Sequence, residues 1–401
     1  MPREGKRELG VVLAATLTTQ LLVSWAVLAI AAMAPAVADS IDLPAVAIGY
    51  QIAIVYAVGA AVSLVAGSLV GRLGGCRVSQ LALVAAGLGC LLATLYGVVG
   101  IVLASLVIGL AHGLTNPSAA HLLARHTNAG NRGVVFSLKQ TGVPLGGMAA
   151  GLLTPLIAVA FGWQIALIAI APMAVSAAFL LAPRRAAWDR ERDPGTPLGL
   201  GALRGAGAAL RLPGLRRLCL AAFAYAGIQL CLMSFVVTFA VVELDMSLPK
   251  SGTLLASIQA AGVIGRVAWG WVADRLQNNG LVLVVIGLLA ATAALGFATI
   301  GPDTPQALVY GLAVLFGAAA VGWNGVFVAE IVRVAPPASI GVAAGIGTFA
   351  AFAGVLVAPP LFVQLYAVTG AYSPTFGLLA VPALVGALAS VGIGQRRPGQ
   401  T

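Results

Sequence analysis

The sequence predicts an all-α integral membrane protein of twelve transmembrane helices, arranged as two pseudo-symmetric six-helix bundles. Three observations carry that reading. Of the 401 residues, 60% are hydrophobic and only 8% charged, against about 25% charged in a soluble domain. A spanning helix needs about 20 mostly apolar residues, and twelve such stretches occur. One long polar interruption divides them into six and six.

Taken in order, spans 1 to 6 are predicted at residues 9–35, 44–70, 79–99, 101–124, 133–160 and 163–182. Spans 7 to 12 follow at 218–241, 251–273, 280–300, 306–331, 339–366 and 373–394. The first run follows a basic start and ends near Ala36-Val37-Ala38, in the manner of a signal peptide with a small-residue cleavage site. It is much longer than a signal core of about 7 to 15 apolar residues, so an uncleaved first helix is expected. Residues 183–217, rich in arginine, proline and glycine, are expected to form a cytoplasmic linker between an N-terminal bundle (1–182) and a C-terminal bundle (218–401).

The net charge of +10 would point to nucleic acid in a soluble protein; here its placement points to topology. With the N-terminus inside, the cytoplasmic segments hold Arg3, Lys6, Arg7, Arg72, Arg77, Arg125 and Arg132. They also hold Arg184, Arg185, Arg190, Arg192, Arg204, Arg211, Arg216 and Arg217, then Arg275, Arg333, Arg396 and Arg397. The opposite side holds Lys250 beside Asp39, Asp42, Glu243, Asp245 and Asp303. Such asymmetry puts both termini in the cytoplasm, and an inner (cytoplasmic) membrane is the expected location. Cys76, Cys90, Cys219 and Cys231 fall in spans or at the cytoplasmic face, where no disulfide framework is expected.

The two halves echo each other. GSLVGRLGG at 67–75, closing span 2, reads like GWVADRLQN at 270–278, closing span 8, and parallel six-helix repeats are an established transporter architecture. Over essentially its whole length the chain resembles a major facilitator superfamily transporter. That family's most specific mark is a loop between helices 2 and 3, approximately G-x-L-a-D-R-x-G-R-R, with a weaker copy between helices 8 and 9. The first copy matches at Gly67, Leu69, Arg72 and Gly74, but Gly71 stands where the aspartate is usual and Gly75 where a basic residue is usual. The second matches at Gly270, Asp274 and Arg275. The resemblance implies that both loops act as conformational latches.

Span 5 holds Gly142-Val143-Pro144-Leu145-Gly146-Gly147, which resembles the family's G-P-x-x-G-G exchanger motif without its spacing. The span 4 arginine of proton-driven drug exporters has no counterpart here, where His112, Thr115 and Asn116 are the polar groups. Span 8 is similar to that of monocarboxylate and oxalate/formate carriers, and Arg266 occupies the position thought to bind a substrate carboxylate. Gly262 stands where monocarboxylate carriers have an acid, and span 11 lacks the lysine of oxalate/formate carriers.

Two cations lie inside spans. Lys139 shares a helical stripe with Gly142, Gly146 and Ala150, and Arg266 shares one with Gln259, Gly262 and Gly270, because spacings of three and four return to one face. Lys139 lies seven residues from Arg132 and Arg266 eight from Asp274, which puts both about 10 to 12 Å in from the cytoplasmic face. The family fold implies that spans 5 and 8 are neighbours, so the two are expected to converge on one anion. A guanidinium grips a carboxylate bidentately and an ammonium adds a point charge. The competing account assigns Arg266 to the latch with Asp274 and lets Lys139 snorkel to the interface.

The resemblance also places spans 1, 4, 7 and 10 around a central cavity. Their polar stripes are Thr16, Thr19, Gln20 and Ser24; His112, Thr115 and Asn116; Tyr225 and Gln229; and Trp323, Asn324 and Phe327. For each, an ordinary interhelical hydrogen bond of about 0.6 kcal/mol is the competing account. His112 is a candidate proton carrier or a neutral packing histidine. Glu330, with Arg333 one turn later, is assigned to the gate.

The expected function is secondary transport of a small organic anion, a carboxylate, by alternating access. Arg266 and Lys139 would bind the anionic group, and Asn324, Gln229, Gln20, Tyr225, Trp323, His112 and Asn116 would line the rest. Gly67, Arg72, Gly74, Gly270, Asp274, Arg275, Glu330 and Arg333 would gate. No phosphate-binding loop, H-E-x-x-H or nucleophile elbow occurs. No cofactor, metal, enzyme activity or nucleic-acid partner is therefore expected, and the drive is a gradient or exchange through a coupled proton or counter-anion. The partners are the substrate and the bilayer, with the chain a monomer. The rivals are an exporter of apolar or cationic compounds and a non-transporting sensor.

Overall fold

The computed structural model describes residues 3–95, 97–127, 131–197, 199, 213–334 and 340–393. Of the arginines named above, Arg204, Arg211, Arg396 and Arg397 lie outside the described residues, as do the side chains of Arg3, Lys6 and Arg132. Regular structure among the described residues is helical throughout. The chain forms two compact units, Met1–Gly201 and Ala202–Thr401.

Unit 1 contains α1 (Arg3–Ala29), α2 (Ile48–Leu73), α3 (Gly75–Leu92) and α4 (Val98–His126). Its α5 comes in two segments, Arg132–Gln140 and Gly142–Phe161, as does α6, Trp163–Ile168 and Ile170–Leu180. Single glycines in the left-handed half of backbone space turn the chain between neighbours: Gly74 (φ 95°) between α2 and α3, Gly162 (φ 90°) between α5 and α6. A side chain would be strained at either place.

Unit 2 contains α7 (Pro213–Val242), α8 (Leu248–Leu276), α9 (Asn279–Phe297), α10 in two segments (Gln306–Ala320 and Asn324–Val334) and α11 (Ile340–Thr369). Its α12 is also in two segments, Tyr372–Leu378 and Ala380–Ser390. Local chemistry sets the ends. The Asn278 side chain accepts from the Leu281 amide at 3.0 Å and caps α9. Glu243, just past α7, accepts from the Tyr372 and Ser373 amides, the latter at 2.9 Å, and so caps α12 with a charge that complements the helix dipole.

Among the described residues, eleven helices are long and apolar enough to cross a membrane. The remaining long helix is α8, whose 29 residues carry Lys250, Arg266, Asp274 and Arg275. Gln259 and Arg266 interrupt its apolar stretch.

Each unit repeats one packing pattern. In unit 1, α1 packs on α5, α2 on α4, and α3 on α4 and α6; in unit 2, α7 packs on α11, α8 on α10, and α9 on α10 and α12. Small residues permit these approaches. A Cβ at Gly146 of α5 would lie 2.4 Å from the Leu21 carbonyl oxygen of α1, and one at Gly354 of α11 would lie 2.0 Å from that of Phe223 in α7. An aromatic cluster of Phe235, Phe239, Phe297, Phe316, Phe362 and Phe376 fills the middle of unit 2. Leucine and valine side chains cover much of the outer surface, as expected where lipid rather than water is the solvent.

Candidate functional site

In unit 1 the polar stripes meet at Lys139. Its side chain is 3% exposed, and its ammonium donates to Gln20 Oε1 at 2.7 Å, Asn116 Oδ1 at 2.5 Å and Gln140 Oε1 at 3.2 Å. All three donors of the ammonium are thereby used. Each partner is a neutral amide. Among the described residues no acidic side chain forms an ion pair with Lys139.

Three features of the sequence build this cluster. Pro144 has no N–H to give the Gln140 carbonyl, and α5 is interrupted at Thr141, two residues after Lys139. Gly142 brings α1 in close, since a Cβ there would lie 2.9 Å from Gln20 Cβ. Finally, Gln20 holds Ser24 one turn along α1, Nε2 to Oγ at 3.2 Å. His112 lies one turn before Asn116 on α4, with its ring set edge-on to Tyr56 at 4.8 Å.

In unit 2 the counterpart feature is a break in α10 at Val321–Trp323. A broken helix leaves carbonyls without amide partners, and α8 supplies donors for two of them. Arg266 Nε donates to the Val321 carbonyl at 3.1 Å, and Trp269 Nε1 to that of Ala318 at 2.8 Å. Gly322 is needed at the break, because a Cβ there would lie 2.2 Å from the Ala318 oxygen of the same helix and 2.8 Å from Trp269 Cδ1 of α8. Arg266 therefore has a structural task in α10, and Asp274, its expected latch partner, is exposed two turns away.

The other predicted lining residues of unit 2 divide. Gln229 of α7 accepts from Trp323 Nε1 at 3.0 Å, and Trp323 packs edge-on against Phe327 at 5.2 Å. Asn324, half-buried, opens the second segment of α10 directly after the break. Tyr225 reaches the group only by its ring, 5.9 Å from Trp323. Its hydroxyl is held by the Leu283 carbonyl at 2.7 Å, and the ring lies over Gly287 and Gly386 between α9 and α12.

Of the gating residues, Glu330 and Arg333 join as the sequence suggests. Glu330 is fully buried and accepts from Arg333 Nε at 2.8 Å and Nη2 at 2.5 Å, and from Asn279 Nδ2 at 3.0 Å. Arg333 also donates to the Ile393 carbonyl, so α10, the start of α9 and the end of α12 are tied together. Arg275 lies 4.8 Å over the Trp271 ring. Arg72 is exposed, and Gly67 and Gly270 have open space where a side chain would go. Sequence reasoning missed Gln140, Trp269 and Asn279. Among the described residues, no group of three or more His, Cys, Asp or Glu is placed to hold a metal ion.

A Major Facilitator Superfamily sequence profile matches residues 16–359. The chain belongs to the Major Facilitator Superfamily. Its fold has solved counterparts in that class of transporter. One is a bacterial homologue of the human lysosomal transporter Spinster, inward-facing and occupied, with a TM-score of 0.74, 14% identity, and coverage of 97% of this chain and 98% of that one. Another is the peptide transporter POT in complex with sulfate, with a TM-score of 0.76, 16% identity, and coverage of 96% and 94%. A search of curated protein sequences gave no match. The chain is thus a multi-pass membrane transporter of the superfamily, with two bundles of six helices.

Proposed function

We propose that this transporter carries a small organic anion, a carboxylate, by alternating access, with Lys139 as the group that receives the anionic end. The observation that carries the reading is a buried ammonium surrounded by neutral amides. A cation inside the membrane is costly and marks a substrate or ion pathway unless it is paired. Amide oxygens solvate the charge of Lys139 without cancelling it, so a carboxylate entering the cluster gains the full charge interaction. Gln20 and Asn116 orient the anion, Gln229, Trp323 and Asn324 are the corresponding polar groups of unit 2, and Arg266 adds a second cation there.

The same proposal places the protein in the inner membrane as a monomer, with both termini cytoplasmic, because the arginines gather on one side of the spans. It takes 1–182 and 218–401 as the two moving bundles. A proton or a counter-anion supplies the drive. The aromatic group Tyr225, Trp323 and Phe327 in unit 2 favours a second reading, an exporter of apolar or cationic compounds.

Uptake into proteoliposomes separates the two. A panel of radiolabelled mono- and dicarboxylates is tested beside apolar and cationic compounds, with wild type and Lys139→Met. Carboxylate uptake that disappears in the variant supports the anion reading. Movement of only apolar or cationic compounds, unchanged in Lys139→Met, overturns it in favour of the exporter.

A further inference from the structure

The first loop motif lacks its aspartate, yet a buried carboxylate stands at that turn. It comes from the segment after α6. Following a short helix, Arg185–Trp188, the chain runs back over the α2–α3 turn of its own unit. Asp189, with a side chain 1% exposed, accepts from the Cys76 amide at 2.8 Å through Oδ1. Its Oδ2 accepts from the Arg77 amide at 3.2 Å and from Arg77 Nη1 at 3.1 Å. The carboxylate therefore holds the first free amides of α3, where the helix dipole favours an anion.

The turn is shaped around it. A Cβ at Gly74 would lie 2.2 Å from Asp189 Cγ, and one at Gly71 would lie 3.4 Å from Thr196 Cγ2. The position from which a motif aspartate would project is thus covered by the same segment. Further bonds fasten it along its length. Arg185 Nε donates to Gln80 Oε1 at 3.0 Å, and Arg125 Nη1 to the Trp188 carbonyl at 2.7 Å. Trp188 Nε1 donates to Glu8 Oε1 at 2.7 Å, and the Asp193 amide to the Gly71 carbonyl at 2.9 Å.

We propose that Asp189 is the acidic member of the first latch, delivered by a strap of residues 184–197 in place of an aspartate at position 71. The strap binds α2, α3 and α4 at one end of unit 1, so the departure at Gly71 is a relocation of the carboxylate and leaves the latch intact. This inference stands apart from the choice of substrate, because its test needs none.

Cys76 is a native reporter. It is fully buried, and its thiol donates to the Leu181 carbonyl beneath the strap. Full-length protein in nanodiscs is treated with N-ethylmaleimide, and Cys76 modification is followed by peptide mass spectrometry. Asp189→Ala removes three charge-assisted bonds and should speed labelling by at least about tenfold. Asp189→Asn keeps one acceptor oxygen and should fall between; it serves where the alanine variant does not fold. Adding Gly71→Asp to the folded Asp189 variant should restore protection, since a carboxylate at position 71 again offers an acceptor to the Cys76 and Arg77 amides at the start of α3. Restoration would not follow from a loss of packing alone. Unchanged labelling in both Asp189 variants overturns the proposal, as does failure of Gly71→Asp to slow labelling in a folded variant.

Discussion

Replacing Lys139 with methionine tests the functional reading most directly, because it removes the charge while keeping a flexible chain of similar length. In the empty protein the change should cost little. The ammonium carries an insertion cost of roughly 2.5 to 3.5 kcal/mol, offset by bonds to three amide oxygens. Once it is gone, those amides can donate to one another. The bound state differs. An ammonium and a carboxylate about 4 Å apart at an effective dielectric near 20 interact by about 4 kcal/mol, or roughly a thousandfold in affinity. A carboxylate supplied at about 1,000 times its dissociation constant stabilises the wild type by about 4.1 kcal/mol, and the variant, now at about its dissociation constant, by only about 0.4 kcal/mol. At roughly 2 to 4 °C per kcal/mol for a unit of about 200 residues, the wild type should gain about 8 to 16 °C and Lys139→Met about 1 to 2 °C. Lys139→Arg keeps a cation and should recover most of the shift. The assay is thermal unfolding of purified protein against a carboxylate panel. Equal shifts in wild type and Lys139→Met would refute the reasoning, and so would a panel that shifts neither.

Three other outcomes follow from the geometry. Glu330→Gln weakens two bonds to Arg333 and turns an amide donor toward donors; because Arg333 is 42% exposed and can be rehydrated, the loss should be about 2 to 3 kcal/mol, read as a fall of roughly 4 to 12 °C in Tm. Trp269→Phe keeps an aromatic side chain but leaves the Ala318 carbonyl at the α10 break without its donor, and a buried acceptor left unsatisfied costs about 1 to 2 kcal/mol; a Tm within 1 °C of wild type would show that the bond contributes nothing. Gly146→Ala drives a methyl into the α1 backbone, and the resulting overpacking should cost about 1 to 3 kcal/mol, visible as lower thermal stability and a smaller folded fraction by size-exclusion chromatography.

How much of this was legible in the sequence depends on the range of the interaction. Apolar runs and the echo between 67–75 and 270–278 are local, and the two-bundle fold follows from them. The interruption of α5 is local too, since Pro144 marks it. The α10 break at Val321–Trp323 has only Gly322 as a signal, and the donors that stabilise it, Arg266 and Trp269, lie on a different helix about 50 residues earlier in the chain. Arg266 therefore looks like an isolated charge in the sequence, although in the structure it also caps a helix fragment. Tyr225 shows the same limit. Its spacing from Gln229 places it on a common stripe, but the hollow that takes its ring is made by Gly287 and Gly386, and nothing in the local pattern of α7 announces either.

The strap shows how composition conceals structure. Residues 183–217 read as a linker because arginine, proline and glycine dominate them, and those residues make turns and solvated chain. Within that stretch, Trp188 is the residue that does not fit, since a large aromatic side chain has much to gain from burial. Trp188 and Asp189 are both buried, and together they explain two peculiarities elsewhere in the chain. A missing aspartate at position 71 is tolerable because Asp189 supplies the carboxylate at the α2–α3 turn, and Gly74 must lack a side chain because that carboxylate occupies the space. The carboxylate missing from one segment is thus found in another, beside the buried Trp188, across a contact of 113 residues from Cys76 to Asp189.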